Sequence, residues 1–323
     1  MLLGIDIGGT KTAVCLADME GALKVSLRMT SAGDDCLEDY QRRLAALVRE
    51  VLQRGSTSAS ALAAVGIAAP GPLSVRRGLL LDPPNNPGWH DVPIVAMVEA
   101  VLPGRPVFLN NDANACALAE KRFGRYRSAH NLVYLTFSTG MGGGLIVNDR
   151  LVQGESDMGG EVGHQVLDLN GPECPCGLRG CFEAYCGGRN VELRLQQRLA
   201  SEPRIETSLH AKCGGDPRSL TNALWIEAVR EGDAFAVQAW DHFIERLAQG
   251  IGNLIMTLNP EVVLLGTIAL HAGDLVLPLL REKMPRHAWS WPLAACTIAP
   301  SSLGQRIGDL SALAVGLQGL LDR

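Results

Sequence analysis

The first residues form two short apolar segments with glycines between them. Leu2 to Ile7 and Thr12 to Ala17 are rich in Leu, Ile, Val and Ala, and Gly8 and Gly9 stand between the two segments. Short apolar runs joined by glycine are typical of strands that pair through a tight turn. This pattern predicts a β-hairpin at the start of the chain.

Segments with strand and helix periodicity alternate along the rest of the chain. Strands are predicted at 63–68, 107–109 and 262–265, and helices at 37–52, 113–123, 274–283, 310–321 and over most of 190–259. Residues 202–217 contain Pro, Ser and Gly and predict a surface loop. Alternation of strands with helices indicates an α/β fold.

A second strand–glycine–strand unit covers residues 131–147. An apolar segment ends at Phe137, and the next residues are Ser138-Thr139-Gly140-Met141-Gly142-Gly143-Gly144, followed by a further apolar segment. These glycines fit a simple β-turn. They fit equally well a loop whose backbone approaches an anion, because glycine has no Cβ to keep the anion away.

Length and charge narrow the class of protein. With 323 residues, 47% of them hydrophobic, the chain has enough material for two domains. The net charge of −5 and the scattered Lys and Arg exclude a basic nucleic-acid surface. The N-terminus has no basic leader segment, and no apolar run has the length of a bilayer span. We therefore expect a cytoplasmic protein with no nucleic-acid or membrane partner, whose dispersed cysteines are reduced.

Three cysteines and a histidine lie close together between two glutamates. Glu161-Val-Gly-His164 precedes Cys174-Pro-Cys176-Gly-Leu-Arg-Gly-Cys181-Phe-Glu183. One imidazole and three thiolates are the ligand set of a closed tetrahedral Zn²⁺ site, whereas the alternative is a group of buried free thiols beside a surface histidine. The spacing favours a structural Zn²⁺ held by His164, Cys174, Cys176 and Cys181. The two glutamates are then placed to hydrogen-bond a polyhydroxylated ligand.

Asp112 lies between an apolar strand and an alanine-rich helix, in the run Asn110-Asn111-Asp112-Ala113-Asn114. Aspartate at the start of a helix is commonly an N-cap. It is also suited to act as a general base, because ligands of α/β proteins collect at the carboxyl ends of strands. Position alone favours the cap, because aspartate is so common at helix starts.

Several ordered motifs together resemble the ROK family of sugar kinases and repressors. They are Asp6-Ile-Gly-Gly-Thr-Lys11, Pro84-Asn85-Asn86-Pro87-Gly88-Trp89, Asn111-Asp112-Ala-Asn-Ala, Thr139-Gly140-Met-Gly-Gly-Gly144, and the two Glu/Cys/His motifs above. The resemblance runs nearly end to end. It implies an actin-like ATPase fold of two ribonuclease-H-like lobes with an interlobe cleft for ATP and hexose. The expected lobes are 1–115, completed by helix 308–323, and 116–307, which carries the Zn²⁺ site.

The resemblance also implies roles for individual residues. Asp112 is the expected base that takes the proton from the sugar hydroxyl. The expected sugar-binding residues are Asn85, Asn111, Asp112, Glu161, His164 and Glu183. The expected nucleotide-binding residues are Asp6, Gly8, Gly9, Thr10, Lys11, Thr139, Gly140, Gly142, Gly143 and Gly266, with Mg²⁺ near Asp6. Ser138 and Thr267 depart from the glycines usual in the family at these loops.

The function that the resemblance implies is an ATP-dependent hexokinase acting on the 6-hydroxyl of glucose, in a homodimer. N-acetylglucosamine or N-acetylmannosamine are alternative substrates. A sugar-binding regulator without kinase activity is an alternative of another class. Because Asp6 is only five residues from Met1, we expect this chain to differ from such repressors in having no DNA-binding domain before it.

Overall fold

A computed structural model describes residues 1–31, 37–83 and 88–323. The strands are β1 Leu2–Ile7, β2 Lys11–Ala17, β3 Leu23–Thr30, β4 Ala64–Ala69, β5 Leu73–Ser74, β6 Leu79–Leu80, β7 Val107–Asn111, β8 Leu132–Phe137, β9 Met141–Val147, β10 Arg150–Leu151, β11 Val262–Leu265 and β12 Thr297–Pro300. The helices are α1 Leu37–Arg54, α2 Ile94–Val101, α3 Asp112–Phe123, α4 Phe182–Cys186, α5 Gly188–Ser201, α6 Leu209–Lys212, α7 Asn222–Arg230, α8 Ala234–Leu258, α9 Thr267–Lys283, α10 Ser290–Ala295 and α11 Ile307–Leu321.

The chain forms two compact units. The first contains residues 1–130, 144–160 and 302–323, and the second contains 131–143 and 161–301. Helix α3 runs without a break across the expected lobe boundary at 115/116, and the C-terminal helix α11 belongs to the first unit. The lobe boundaries expected from the sequence stay a prediction.

The first unit is built on a sheet in the order β3-β2-β1-β4-β7. β1 and β2 form the predicted antiparallel hairpin. β4 pairs in parallel with β1, and β7 pairs in parallel with β4. Asp6 is paired with Ala13 on one side and Ala68 on the other. The carboxyl ends of β1, β4 and β7 therefore lie at one edge, which is where Asp6 and Asn111 are found.

Helix α11 packs closely against this sheet. A Cβ atom on Gly66 of β4 would collide with the Ala312 carbonyl of α11, so only glycine permits this approach. Leu310 and Leu313 of the same helix are fully buried. The remaining core of this unit includes α1, whose Tyr40 ring meets Trp89 edge-on at 4.7 Å between ring centroids.

The second unit contains β8, β11 and β12 and the first residues of β9. β11 is parallel to β8 on one side and to β12 on the other. The long helix α8 provides much of the core, where Trp225, Trp240 and Phe243 pack ring against ring. Within the described residues, none of the helices combines the length and hydropathy that crossing a bilayer requires.

Candidate active site

The turn after β1 carries the first group of expected nucleotide-binding residues. Gly8 donates its backbone N–H to the Lys11 carbonyl at 3.0 Å, which closes a tight turn over Gly9 and Thr10. Thr10 and Lys11 are exposed, and Lys11 begins β2. The turn thus presents backbone and one cationic side chain to solvent, as expected for a phosphate-binding turn.

Asp6 is the last acidic group before that turn and lies among other carboxylates. Burial, then Asp112 and Asp309, raise the pKa of Asp6 from 3.8 to about 7, and Arg28 opposes this rise. Such a strong perturbation next to a glycine turn is typical of a functional site. A carboxylate cluster of this kind has the oxygen ligands and the negative charge that suit Mg²⁺.

Asp309 was missed by the sequence reasoning. It lies in the first turn of α11 and accepts hydrogen bonds from Ser26 at 3.0 Å and Arg28 at 3.4 Å. The neighbouring Gly308 faces Asp6, since a Cβ there would lie 3.5 Å from Asp6 Oδ2. The acidic residue after a glycine at a helix start was a usable signal, but nothing local linked it to Asp6.

Asn111, and not Asp112, is the N-cap of α3. Its side-chain oxygen accepts from the backbone N–H of Ala113 at 2.9 Å and of Asn114 at 3.4 Å. Asp112 is the first helical residue and is exposed, and its Oδ1 accepts from the Ala113 N–H at 2.7 Å. The cap interpretation of Asp112 is therefore wrong, and the cap is one residue earlier.

A buried amide network, also missed, lies behind these two residues. Asn110 donates to Gln153 Oε1 at 3.1 Å, while its own side-chain oxygen accepts from the Asn111 N–H and from the Asn114 amide. Asn110 and Asn114 are 7% and 1% exposed, so this network is held away from water. It fixes the end of β7 and the start of α3, and with them the backbone of Asp112.

The second glycine segment divides between a turn and a strand. Ser138 donates its N–H to the Gly140 carbonyl at 3.1 Å, so residues 138–141 form a tight turn, called here the 138–141 turn. Thr139 and Gly140 lie in the turn, whereas Gly142 and Gly143 lie within β9. Of the expected glycines, only Gly140 is therefore at the apex.

His164, Cys174, Cys176 and Cys181 are brought together in the second unit. One donor atom from each lies within 4.8 Å of all the others. Cys176 Sγ and Cys181 Sγ are 3.7 Å apart, as are Cys174 Sγ and His164 Nδ1. Two thiolates bound tetrahedrally at about 2.3 Å from Zn²⁺ would be about 3.8 Å apart, so the spacing fits a tetrahedral metal.

The two flanking glutamates lie near this Cys/His cluster. His164 turns Nδ1 towards Cys174 and Nε2 towards Glu161, whose Oε2 is 4.0 Å from it. Burial raises the pKa of Glu161; His164 opposes this rise and Glu183 adds to it. Glu183 accepts a hydrogen bond from the Met141 N–H at 2.8 Å. The cluster, both glutamates and the 138–141 turn thus form one neighbourhood.

A largely apolar cavity of about 570 Å³ lies next to that turn in the second unit. Its walls include Phe137, Ser138, Gly188, Asn222, Thr267 and Ile268. Gly266 closes the end of β11, donating its N–H to the Leu135 carbonyl at 2.7 Å. A Cβ on Gly266 would lie 2.6 Å from Tyr134 Oη, so the residue has a packing reason to be glycine. Asn85 lies outside the described residues.

The ROK family model matches residues 2–318 of this chain. The chain belongs to the ROK family. A glucokinase from Thermotoga maritima is 33% identical over 97% of this chain and 96% of its own length, and a xylose repressor from Bacillus spizizenii is 28% identical over 99% and 78%. The family assignment made from the sequence is confirmed.

Solved ROK structures have the same fold. A ROK hexokinase from Thermus thermophilus is 31% identical, with a TM-score of 0.84 over 100% of this chain and 99% of its own. A ROK glucokinase from Streptomyces griseus, solved with glucose and AMPPNP, is 29% identical, with a TM-score of 0.80 over 98% and 99%. The predicted α/β, actin-like ATPase fold is thereby confirmed.

Proposed function

We propose that this ROK protein is an ATP-dependent hexokinase that phosphorylates the 6-hydroxyl of glucose. Similarity to glucokinases over nearly the whole chain supports a sugar kinase. The observation that carries the proposal is the placement of Asp112. It is exposed at the carboxyl end of β7, its backbone is fixed by a buried network, and Asn111 does the capping.

In the proposed reaction the sugar 6-hydroxyl oxygen attacks the γ-phosphorus of ATP. Asp112 accepts the hydroxyl proton, the new O–P bond forms, and the bond from the γ-phosphorus to the β,γ-bridging oxygen breaks to release ADP. Asn111, Glu161, His164, Glu183 and Asn85 are the proposed hydrogen-bonding partners of the other hydroxyls. Positioning and charge neutralisation supply most of the acceleration in such reactions.

The nucleotide is proposed to bind the two glycine turns. Asp6, Gly8, Gly9, Thr10 and Lys11 form one phosphate-binding group, and Thr139, Gly140, Gly142 and Gly143 form the other. The apolar cavity beside Ser138 and Thr267 supports a place for the adenosine, because its volume of about 570 Å³ is within the range of ligand pockets. Ser138 and Thr267 are themselves wall residues, so the two departures from the family pattern fall at this cavity.

Two metals are part of the proposal. Zn²⁺ held by the Cys/His cluster would lock the ring of His164, whose Nε2 then points to the proposed sugar site. Mg²⁺ held near Asp6 would supply charge neutralisation to the phosphates. We also propose that the protein is a homodimer and that it lies in the cytoplasm, where ATP is made. Light scattering during gel filtration tests whether it is a dimer.

The test is an ADP-release assay with ATP and a panel of sugars. We expect the largest kcat/KM with glucose. Higher kcat/KM with N-acetylglucosamine or N-acetylmannosamine would transfer the assignment to those substrates. The similarity to a xylose repressor favours a sugar-binding regulator as the second candidate, and sugar binding without ADP release from any sugar would support it.

A further inference from the structure

Glu183 uses one carboxylate oxygen to hold the 138–141 turn. Its Oε2 accepts from the Met141 backbone N–H at 2.8 Å. The same oxygen lies 2.5 Å from the position that a Cβ on Gly140 would occupy, so a side chain at residue 140 would displace the carboxylate from this position. A hydrogen bond from a backbone N–H to a carboxylate is charge-assisted and stronger than one to a neutral acceptor. One oxygen of Glu183 is therefore already engaged by the turn.

The residues that follow Glu183 bind the other side of the turn. Gly188 donates its N–H to the Ser138 carbonyl at 3.1 Å, and Arg189 donates to the Thr139 carbonyl at 2.9 Å. Together with the Glu183 bond, these contacts engage three of the four residues of the 138–141 turn. The segment from Glu183 to Arg189 thus sets the backbone of the turn.

Helix α4, which carries Glu183, is itself firmly anchored. Phe182 is fully buried, and its ring fills the space over Gly250 of α8 where a Cβ would collide with it. Arg194 donates to the Tyr185 carbonyl at 2.8 Å and also to the Ala184 carbonyl. An anchored helix can impose a conformation on the glycine turn with which it forms hydrogen bonds.

We propose that Glu183 is a positioning residue for the nucleotide, beyond its expected contact with the sugar. Its carboxylate fixes the 138–141 turn in the shape that accepts phosphate, and through one side chain it couples the sugar site to the phosphate site. The inference rests on the proposed function only in taking the 138–141 turn as a phosphate-binding turn. The bond to the Met141 N–H is measurable without any catalysis.

The test compares two neutral replacements of similar length. Glu183→Gln keeps an acceptor for the Met141 N–H, whereas Glu183→Met removes it, so the pair isolates the hydrogen bond from the loss of charge. Calorimetry with a non-hydrolysable ATP analogue and no sugar gives the nucleotide Kd. We expect Glu183→Met to bind about tenfold more weakly than Glu183→Gln, the effect of one lost hydrogen bond of about 1.4 kcal/mol. Glu161→Ala, which removes a neighbouring carboxylate, should weaken sugar binding and leave the nucleotide Kd within about threefold.

Hydrogen exchange of the peptide covering 137–143 is the second readout. We expect faster exchange at Met141 in Glu183→Met than in Glu183→Gln. Equal nucleotide affinity and equal exchange in the two variants would overturn the inference, as would an equal loss of affinity in Glu183→Ala, Glu183→Met and Glu183→Gln. If no sugar is phosphorylated but the exchange difference and the affinity difference persist, the proposed function fails and the positioning role stands. If Glu183→Met does not fold, faster exchange at Met141 in Glu183→Ala than in Glu183→Gln serves the same comparison.

Discussion

Asp6→Asn should stabilise the nucleotide-free protein above neutral pH. The folded protein raises the pKa of Asp6 from 3.8 to about 7, chiefly by burial and then by Asp112 and Asp309. Folding therefore favours the protonated acid, and the stability this contributes is complete below pH 3.8 and lost as the pH rises to about 7. Asparagine resembles the protonated acid and does not lose this stability.

The size of the effect follows from the two pKa values. Each pKa unit corresponds to about 1.4 kcal/mol, so a rise from 3.8 to about 7 has a ceiling of about 4 kcal/mol at pH 8. Asp6 is only partly buried by surface area, and solvent screening reduces the figure, so we expect about 2 kcal/mol. The advantage of Asp6→Asn should be largest at pH 8 and fall to less than half of that by pH 5.

Urea unfolding in Mg²⁺-free and nucleotide-free buffer at pH 5, 6, 7 and 8 measures this dependence. Glu155→Gln is the matched control, because its carboxylate lies in the same unit but is 96% exposed and pairs with the exposed Arg76. The control should show no pH-dependent gain. A variant Asp6→Asn that is no more stable than the parent at pH 8, or equally more stable at pH 5 and pH 8, would refute the reasoning.

Three further variants test the proposed roles of Asp112 and Cys176 and the contribution of the buried Glu120 to stability. Asp112→Asn should lower kcat at least about a hundredfold and keep the sugar affinity within about tenfold of the parent value. Its melting temperature should stay close to that of the parent, because Asn111 remains the cap. Unchanged turnover would show that Asp112 is not the base. Elemental analysis should find about one Zn per chain, and Cys176→Ser should lower both the Zn content and the melting temperature; a metal-free active parent would contradict this. Glu120→Ala should lower the free energy of unfolding in urea by about 3 kcal/mol, because Glu120 is fully buried and accepts hydrogen bonds from the N–H and the hydroxyl of Ser302. A loss below about 1 kcal/mol would contradict this and would show that the fold relaxes around the lost acceptor.

The sequence predicted best those features that are encoded locally. The hairpin of β1 and β2 follows from its glycine turn. β11 was predicted at its observed bounds from its short apolar run, and all four of its residues are buried. β3 was left out, although Leu23, Val25, Leu27 and Met29 alternate with polar residues. The apolar side chains of that strand are only half buried, so its apolar pattern is less marked than that of the buried strands. Helix α4 has five residues, too few for a 3.6-residue period to be visible.

Site features that depend on contact between distant segments could not be predicted. The Cys/His cluster was predictable because its ligands are close in sequence and chemically distinctive. Asp309 joins Asp6 from the other end of the chain, and no local pattern records that contact. Whether Asn111 or Asp112 caps α3 is a difference of one residue between two good capping types, which propensity cannot resolve.

The acidic group around Asp6 links the stability of this protein to its proposed chemistry. Burial, and then Asp112 and Asp309, raise the pKa of Asp6, so the nucleotide-free fold carries an electrostatic cost that Arg28 relieves only in part. A bound cation would reverse that cost, because it favours the charged form of the same carboxylates. Mg²⁺ should therefore stabilise the parent at pH 8 more than it stabilises Asp6→Asn. Residues that reduce stability are expected where function requires them, and two of these carboxylates, Asp6 and Asp112, are the ones proposed to act on the phosphates and the sugar hydroxyl.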